Sequence, residues 1–230
     1  MKNIIGIIPA RGGSKGILKK NIKLLVGKPL IEYTIDAARN SKKLTDFYVS
    51  SDDKEIISVA KKIGAKIIAR PKNLAKDKTP MVPVLQHAIN YLEPKIGKID
   101  FIVLLQPTTP LRTGKDIDNS IKILEKTKAD SVITLVKMGD AHPARMYRMN
   151  NDKMVSLWGE KYKFTPRQNL PPIYLRNGAV YAYKRNTIIK QQAQEGKDSR
   201  GMIMPPERSI NIDEPIDFEL AKLQIKKQNS

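Results

Sequence analysis

The sequence contains no cysteine, and its only histidines are His87 and His142 among 230 residues. Without cysteine, the chain forms no disulfide framework and offers neither a thiolate metal ligand nor a cysteine nucleophile. Two histidines are too few to build a histidine-rich metal centre. The simplest interpretation is a cytoplasmic protein whose chemistry depends on other side chains.

Long apolar runs are also missing. Stretches such as Phe101–Leu105 fall far short of the roughly 20 residues that a bilayer requires. The segment Ile4–Ile8 resembles the start of a signal sequence, but Arg11 interrupts it too early. We therefore expect neither a membrane span nor a signal peptide.

Positive charge is abundant, whereas aromatic residues make up only 6% of the chain. The 42 Lys and Arg exceed the 23 Asp and Glu, which gives a net charge of +19 and suggests a nucleic-acid binder. The basic residues are, however, spread from Lys2 to Lys227 in singles and pairs, with no interleaved aromatics. This distribution favours a solvated lysine-rich surface, with nucleic-acid binding as the weaker alternative.

Short β-branched runs alternate with amphipathic segments through residue 136, which is the pattern of a mostly parallel α/β sheet flanked by helices. The predicted strands are Ile4–Ile8, Phe47–Ser50, Lys66–Ala69, Phe101–Leu105 and Ser131–Val136. The predicted helices are Pro29–Arg39, Lys54–Ile63, Pro80–Leu92 and Thr113–Glu125.

The alternation stops at residues 137–172, which mix Pro, Met, Tyr and Arg with the only tryptophan, Trp158. This stretch is either a long irregular excursion or a β-rich flap, and such insertions usually carry function or a subunit contact. The α/β pattern then resumes, so we predict one domain over residues 1–230. Its remaining predicted segments are Ala179–Tyr183, a helix near Asn186–Gln194, Met202–Met204, Ser209–Asp213 and a last helix from Pro215 to Lys227.

A glycine-rich loop follows the first predicted strand. Glycines at 12, 13 and 16 allow a ligand to approach the backbone closely, and Arg11, Lys15 and Lys20 supply cations for a polyphosphate. The spacing matches neither a P-loop nor a dinucleotide-binding fingerprint. The loop nevertheless lies at the carboxyl end of a strand, where open α/β sheets bind their ligands.

A second polar loop, Gln106–Arg112, follows the predicted strand at Phe101–Leu105. Two prolines make it rigid, while Gln106 and two threonines present neutral hydrogen-bonding groups. Because both loops leave the same edge of the sheet, the sequence predicts a shared pocket.

These two motifs, with Arg-Asn-Gly-Ala-Val-Tyr at 176–181 and Ile-Asn-Ile-Asp-Glu-Pro-Ile-Asp at 210–217, resemble the acylneuraminate cytidylyltransferases. The resemblance implies a Rossmann-like nucleotidyltransferase fold. It also implies that CTP activates a 2-keto nonulosonic acid of the sialic, legionaminic or pseudaminic type, giving a CMP-sugar for surface glycans and pyrophosphate. Mg²⁺ is the implied metal, with Mn²⁺ as an alternative. Members are typically homodimers, so residues 137–172 would form a dimerisation element that completes the partner's site.

The resemblance also implies individual roles. The expected CTP-binding residues are Arg11, Gly13, Ser14, Lys15, Asn21 and, on the cytosine side, Arg70. The expected catalytic residues are Arg11, Lys15, Lys20 and Asp213. Gln106 would face the sugar acid, with Arg145 and Arg167 reaching the neighbouring subunit's site. Asp213 and, more weakly, Asn211 would bind the metal.

Two departures from the family pattern leave alternatives open. Asn211 stands where many members have a second aspartate, so phosphates or Asp217 would have to complete the metal site. Residues 77–81 lack a serine expected near the cytosine, a role that Thr79 or backbone groups would then take. The alternatives are a CMP-octulosonate synthetase and a catalytically impaired nucleotide-sugar-binding protein.

Overall fold

The computed structural model describes residues 2–14 and 16–229. Its β-strands, in chain order, are β1 Ile4–Pro9, β2 Leu24–Leu25, β3 Lys28–Pro29, β4 Asp46–Ser51, β5 Lys66–Ala69, β6 Phe101–Leu104, β7 Ser131–Lys137, β8 Tyr147–Asn150, β9 Lys153–Ser156, β10 Tyr174–Lys184 and β11 Ser199–Met204. Its α-helices are α1 Leu30–Arg39, α2 Lys54–Lys62, α3 Met81–Ile96, α4 Gly114–Thr127, α5 Arg185–Ile189 and α6 Pro215–Asn229.

The central sheet has seven strands in the order β11-β7-β10-β6-β1-β4-β5. Neighbours pair in parallel, except that β10 runs antiparallel to both β6 and β7. The predicted mostly parallel sheet flanked by helices is therefore confirmed, with one reversed strand, β10, in its interior.

Successive side chains of β1 enter two different cores, because a strand's residues alternate between the faces of its sheet. Ile4 and Ile8 pack with residues of α1, α2 and α4, whereas Ile5 and Ile7 pack with residues of α3. Both faces are therefore covered, which explains why the sequence of β1 shows little alternation of polarity. A third cluster packs α6 against the segment that follows the glycine-rich loop.

Several predicted boundaries are wrong for identifiable reasons. Pro29 belongs to β3, the second strand of a two-stranded hairpin too short to show a periodic pattern. Helix α3 continues to Ile96 because Pro94 lies in its last turn, where the missing N–H costs only one bond. Helix α5 ends at Ile189, well before Gln194. The run Ser209–Asp213 is not a strand; the Ile212 N–H donates to the Thr108 carbonyl of a loop at 2.7 Å.

Residues 137–172 form the β-rich alternative. They leave the sheet at the end of β7, form the β8–β9 hairpin with short 3-10 turns, and return at β10. Within the described residues, no helix is long and apolar enough to cross a bilayer.

Candidate active site

A cleft of about 520 Å³ opens beyond the carboxyl ends of β1, β4, β5 and β6. It brings together segments that are far apart in the sequence, as expected at this edge of a parallel sheet. Its lining residues are Pro9, Arg11, Ser14, Gly16, Lys20, Asn21, Arg70, Met81, Gln106, Pro107, Thr108, Asn211 and Asp213. Most of the predicted site residues are therefore gathered in one place. Gly13 is exposed and does not line the cleft, and Lys15 lies outside the described residues.

The glycine-rich loop is held by polar contacts on two sides. Asn21 is buried and donates its side-chain N–H to the Arg11 carbonyl at 3.0 Å. The Gly12 N–H donates to Oδ1 of Asp52 at 3.3 Å, and Nη1 of Arg11 lies 2.9 Å from Oδ1 of Asp77. The Arg11 guanidinium is therefore held at the cleft by a contact within the protein.

Arg70 is almost completely buried beneath the cleft. Its Nε donates to the Ser50 hydroxyl at 3.1 Å and its Nη2 donates to the Ser50 carbonyl at 2.5 Å. Burial lowers the pKa of Arg70 to about 10, an effect that the Asp52 carboxylate opposes and the Arg11 cation reinforces. Arg70 thus remains a rigidly held cation at neutral pH.

At the other end of the cleft, Lys20 meets the segment that precedes α6. Its ammonium donates to the Ile212 carbonyl at 2.7 Å and lies 3.5 Å from Oδ1 of Asp213. Gly16 passes so close to this segment that an added Cβ would lie 2.6 Å from the Asp213 carbonyl oxygen. Any larger residue at position 16 would force the two segments apart.

Asn211 and Asp213 point their side chains at each other. The amide of Asn211 donates to Oδ2 of Asp213 at 2.6 Å, and Oδ1 of Asn211 is buried with no hydrogen-bond partner within residues 2–14 and 16–229. Asp217 instead lies in the first turn of α6, where its Oδ2 accepts the N–H groups of Asp213 and Glu214 at 2.9 and 2.8 Å. The oxygens that could hold a cation here are those of Asp213 and Asn211. No group of three or more His, Cys, Asp or Glu in the described part of the chain could hold a metal ion.

Gln106 lies at the floor of the cleft against Gly178, which adopts a positive φ of 76°. A Cβ on Gly178 would approach Oε1 of Gln106 to 2.7 Å and Oδ1 of Asn211 to 3.5 Å. The neighbouring Asn177 is buried, and its carbonyl accepts the Thr109 hydroxyl at 2.9 Å. The Asn-Gly pair therefore joins the Gln106 loop to the Asn211 segment.

The structure does not bring Arg145 and Arg167 into this cleft. Arg145 is exposed, and Nη1 of Arg167 lies 3.0 Å from Oδ1 of Asp140; neither arginine lines the cleft. Arg167 lines a separate cavity of about 570 Å³ in the 137–172 excursion. There the buried His142 accepts the Ala144 N–H on Nδ1 and contacts the Pro171 carbonyl through Nε2, so its observed role is structural.

Sequence reasoning missed several residues that support the site. Asp52 was detectable, because it follows β4 at the same sheet edge as the glycine-rich loop. The contact between Arg11 and Asp77 had no sequence signal, since it joins two loops across the cleft. Asn177 and Gly178 were part of a noted motif, but only the structure reveals what they contact.

Comparisons with known proteins identify a single family to which this chain is similar. The model of the family described as Cytidylyltransferase matches residues 5–229. The chain is 33% identical to a pseudaminic acid cytidylyltransferase of Campylobacter jejuni, over 98% of this chain and 97% of that protein. It is 30% identical to a CMP-N,N'-diacetyllegionaminic acid synthase of the same species, over 100% of this chain and 97% of that protein.

A longer relative is the N-acylneuraminate cytidylyltransferase of Escherichia coli, which is 31% identical over 98% of this chain. The chain spans about half of that protein's length, 53%. Among solved structures, the chain resembles a CMP:2-keto-3-deoxy-manno-octonic acid synthetase complexed with CTP. The TM-score is 0.75 with 16% identity, over 99% of this chain and all of that one, a likeness that concerns the fold alone. From the family match and the full-length relatives together, the chain belongs to the cytidylyltransferases, a family of nucleotidyltransferases.

Proposed function

We propose that this protein uses CTP to activate a 2-keto nonulosonic acid of the sialic, legionaminic or pseudaminic type, releasing a CMP-sugar and pyrophosphate. Relatives named for these three acids, each about 30% identical over nearly the whole chain, support the proposal. The observation that carries it is the cleft itself, which combines Arg11, Lys20 and Arg70 with Gln106 and Asp213. We propose a cytoplasmic location for this reaction.

The cations would bind the nucleotide. A triphosphate carries about four negative charges, and cations focused in a cleft favour its capture. Arg11 and Lys20, with Lys15 of the same loop, would contact the phosphates, and the buried Arg70 would lie on the cytosine side. The ion pair between Arg11 and Asp77 gives the guanidinium an orientation that the phosphates would take over.

Asp213 and Asn211 would supply part of the ligand set for Mg²⁺ or Mn²⁺. Hard cations prefer oxygen ligands, and Mg²⁺ commonly binds one or two carboxylates together with substrate phosphates. Asp213 offers a carboxylate, and Oδ1 of Asn211, which has no partner among the residues that the structure describes, offers a neutral oxygen beside it. The remaining ligands would come from the nucleotide. Such a cation supplies charge neutralisation at the phosphates when it is bound.

The protein's own groups would accelerate the transfer by positioning the substrates and by stabilising charge, the two effects that dominate phosphoryl-type transfer. In the proposed reaction, the anomeric hydroxyl of the acid attacks the α-phosphorus and the bond to the pyrophosphate oxygen breaks. Lys20 and Arg11 would stabilise the growing charge on pyrophosphate. Asp213 is the carboxylate residue lining the described cleft, so it is our candidate for accepting the hydroxyl proton.

We also propose that the protein is a homodimer joined through residues 137–172. The β8–β9 hairpin exposes Met149 and Met154, which face each other across the two strands, and Phe164 of the same 137–172 excursion is 88% exposed. Exposed apolar side chains concentrated in one element favour a subunit contact. In this arrangement Arg145 and Arg167 would enter the partner's cleft and bind the carboxylate of its sugar acid.

A second candidate is a nucleotide-sugar-binding protein with impaired catalysis. The observation that favours it is Asn211, which cannot act as a base and is a weaker metal ligand than aspartate. An octulosonate synthetase is less favoured, because the likeness to that enzyme is limited to the fold.

Pyrophosphate release with each of the four NTPs and a panel of 2-keto sugar acids tests the proposal in the presence of Mg²⁺. Release that requires both CTP and a nine-carbon acid supports it. Release with the eight-carbon acid instead indicates an octulosonate synthetase. Binding of CTP without release from any pair indicates the impaired protein.

A further inference from the structure

Arg112 is a buried cation whose hydrogen bonds are made to neutral groups. It is 3% exposed. Its Nε donates to the Ala179 carbonyl at 2.7 Å, its Nη1 donates to the Thr34 hydroxyl at 2.6 Å, and its Nη2 donates to the Gln106 carbonyl. Each branch of the guanidinium therefore reaches a different segment of the chain.

Such an arrangement is costly for stability. Burial lowers the pKa of Arg112 to about 9, against the opposing effect of the Asp116 carboxylate. Asp116 does not neutralise it by direct contact, because its carboxylate accepts hydrogen bonds from Arg208 and from the Thr113 N–H and hydroxyl. A buried charge costs stability unless it is both paired and hydrogen-bonded, and within the described residues the hydrogen bonds of Arg112 go to neutral acceptors alone. A role other than stability is therefore the better explanation for an arginine at this position.

The acceptors of Arg112 lead directly to the cleft floor. Gln106 lines the cleft, and Ala179 follows Gly178, the residue against which the Gln106 side chain rests. One guanidinium thus fixes the backbone on both sides of that contact. Thr34 belongs to α1, so its hydrogen bond to Arg112 also ties the guanidinium to a helix of the domain.

We propose that Arg112 is a positioning residue that holds Gln106 against Gly178 and thereby sets the affinity for the sugar acid without touching either substrate. The inference rests on the proposed function, in which Gln106 faces the sugar acid. It goes further by predicting which substrate is affected. The nucleotide side is held separately, because Arg70 is bonded to Ser50 and none of the hydrogen bonds of Arg112 reaches either residue.

Arg112→Met tests this separation. The substitution keeps the approximate volume of the side chain and removes every donor. We expect KM for the sugar acid to rise about tenfold or more, as for the loss of one well-placed hydrogen bond. The Kd for CTP, measured by calorimetry without the acid, is expected to stay within about twofold. Arg112→Lys keeps one donor group and is expected to give an intermediate KM; it carries the test if the methionine variant does not fold.

Two control variants separate positioning from general damage. Thr34→Val removes one acceptor of Arg112 but leaves its bonds to Gln106 and Ala179, so we expect a lower Tm with an unchanged KM. Arg200→Met removes an exposed arginine that pairs with Asp198 and should change neither value.

The possible failures are distinct. Equal losses in acid and CTP binding, or a rise in KM for Thr34→Val that matches Arg112→Met, would overturn the positioning role alone. An active wild-type protein with unchanged kinetics in Arg112→Met would do the same. A wild-type protein that releases no pyrophosphate with any acid would contradict the proposed function and this inference with it.

Discussion

The ammonium group of Lys20 lies 3.5 Å from the carboxylate of Asp213 and donates to the preceding carbonyl, that of Ile212, at 2.7 Å. The contact joins the glycine-rich loop to a segment 192 residues further along the chain. Lys20 is 13% exposed in its side chain, whereas Asp213 is 68% exposed and open to a ligand. The cation therefore gains a fixed position while the carboxylate remains accessible.

Asp213→Ala is expected to lower kcat at least about a hundredfold, because it removes the acidic group from the proposed reaction centre. The fold should survive, since Asp217 still accepts the Glu214 N–H at the start of α6. Pyrophosphate release measures the loss, and circular dichroism checks the fold. Asp198→Asn, at an exposed ion pair with Arg200, serves as the control. Near-full activity in Asp213→Ala would remove Asp213 from the mechanism.

Asn211→Asp is expected to lower the Mg²⁺ concentration that gives half-maximal activity. The substitution replaces the hydrogen bond from Asn211 to Asp213 with two neighbouring carboxylates, which favour a divalent cation. A titration of activity against Mg²⁺ measures the change. If the requirement for Mg²⁺ stays the same, Asn211 does not take part in metal binding.

Gly178→Ala and Gly27→Ala form a matched pair. Both glycines have a positive φ, 76° and 81°, so alanine strains the backbone at either position by about 1–2 kcal/mol. Only at Gly178 would the new Cβ meet Oε1 of Gln106, at 2.7 Å; at Gly27 nothing lies within 4 Å. We expect both to lower Tm, and only Gly178→Ala to raise KM for the sugar acid. Equal kinetic effects would mean that strain alone matters.

The proposed dimer predicts that Met154→Asp produces a monomer. Met154 is 58% exposed and opposite Met149 on the β8–β9 hairpin, so an aspartate there would place charge in an apolar contact. Sedimentation velocity measures the oligomeric state, with Ile203→Asp as a control because Ile203 is 60% exposed on the edge strand β11. A wild-type monomer at micromolar concentration would contradict the proposed contribution of Arg145 and Arg167 to the partner's cleft.

The pair of Glu93 and Arg185 predicts a pH-dependent part of the stability. Two hydrogen bonds from Arg185, at 2.6 and 2.7 Å, hold the pKa of Glu93 below its usual value. A carboxyl group whose pKa is lowered by folding stabilises the protein fully at pH values above its unfolded-state pKa. This contribution to the free energy of unfolding is lost as the pH falls through the folded-state pKa. Glu93→Gln should therefore cost about 1 kcal/mol near neutral pH and progressively less in acid.

Urea unfolding of wild type and Glu93→Gln, from neutral pH down to below the folded-state pKa of Glu93, measures the difference in their free energies of unfolding. Glu160→Gln is the control, because Glu160 is 76% exposed and its ion pair with Lys163 is expected to contribute little. A difference between wild type and Glu93→Gln that does not shrink in acid would contradict the assignment.

The parts of the fold predicted from the sequence are those with a strong local signal. Strand β5 has its predicted bounds, Lys66–Ala69, and β1 and β6 differ from their predicted bounds by one residue. The antiparallel placement of β10 could not be predicted, because a buried strand has the same composition in either direction. A β-rich flap was one of two alternatives for residues 137–172, but the bounds of β8 and β9 could not be predicted, since these exposed strands lack the alternation that burial on one face imposes.

For the site, the loops themselves were predictable because they follow buried strands at one sheet edge. The contacts between loops were not. Nothing in the sequence indicates that Gly16 passes against Asp213 or that Gln106 rests on Gly178, because these contacts depend on the three-dimensional paths of two loops. The role of Arg112 is hidden for the same reason, since its acceptors are mostly backbone carbonyls.

The most direct test of the proposed function is ³¹P NMR of the wild-type protein with CTP, Mg²⁺ and a nine-carbon 2-keto acid. Transfer of the cytidylyl group predicts that the three CTP resonances disappear together. A single phosphodiester resonance of the CMP-sugar and an equimolar pyrophosphate resonance should replace them. Persistence of CTP, or its conversion to CDP and inorganic phosphate, would contradict the account.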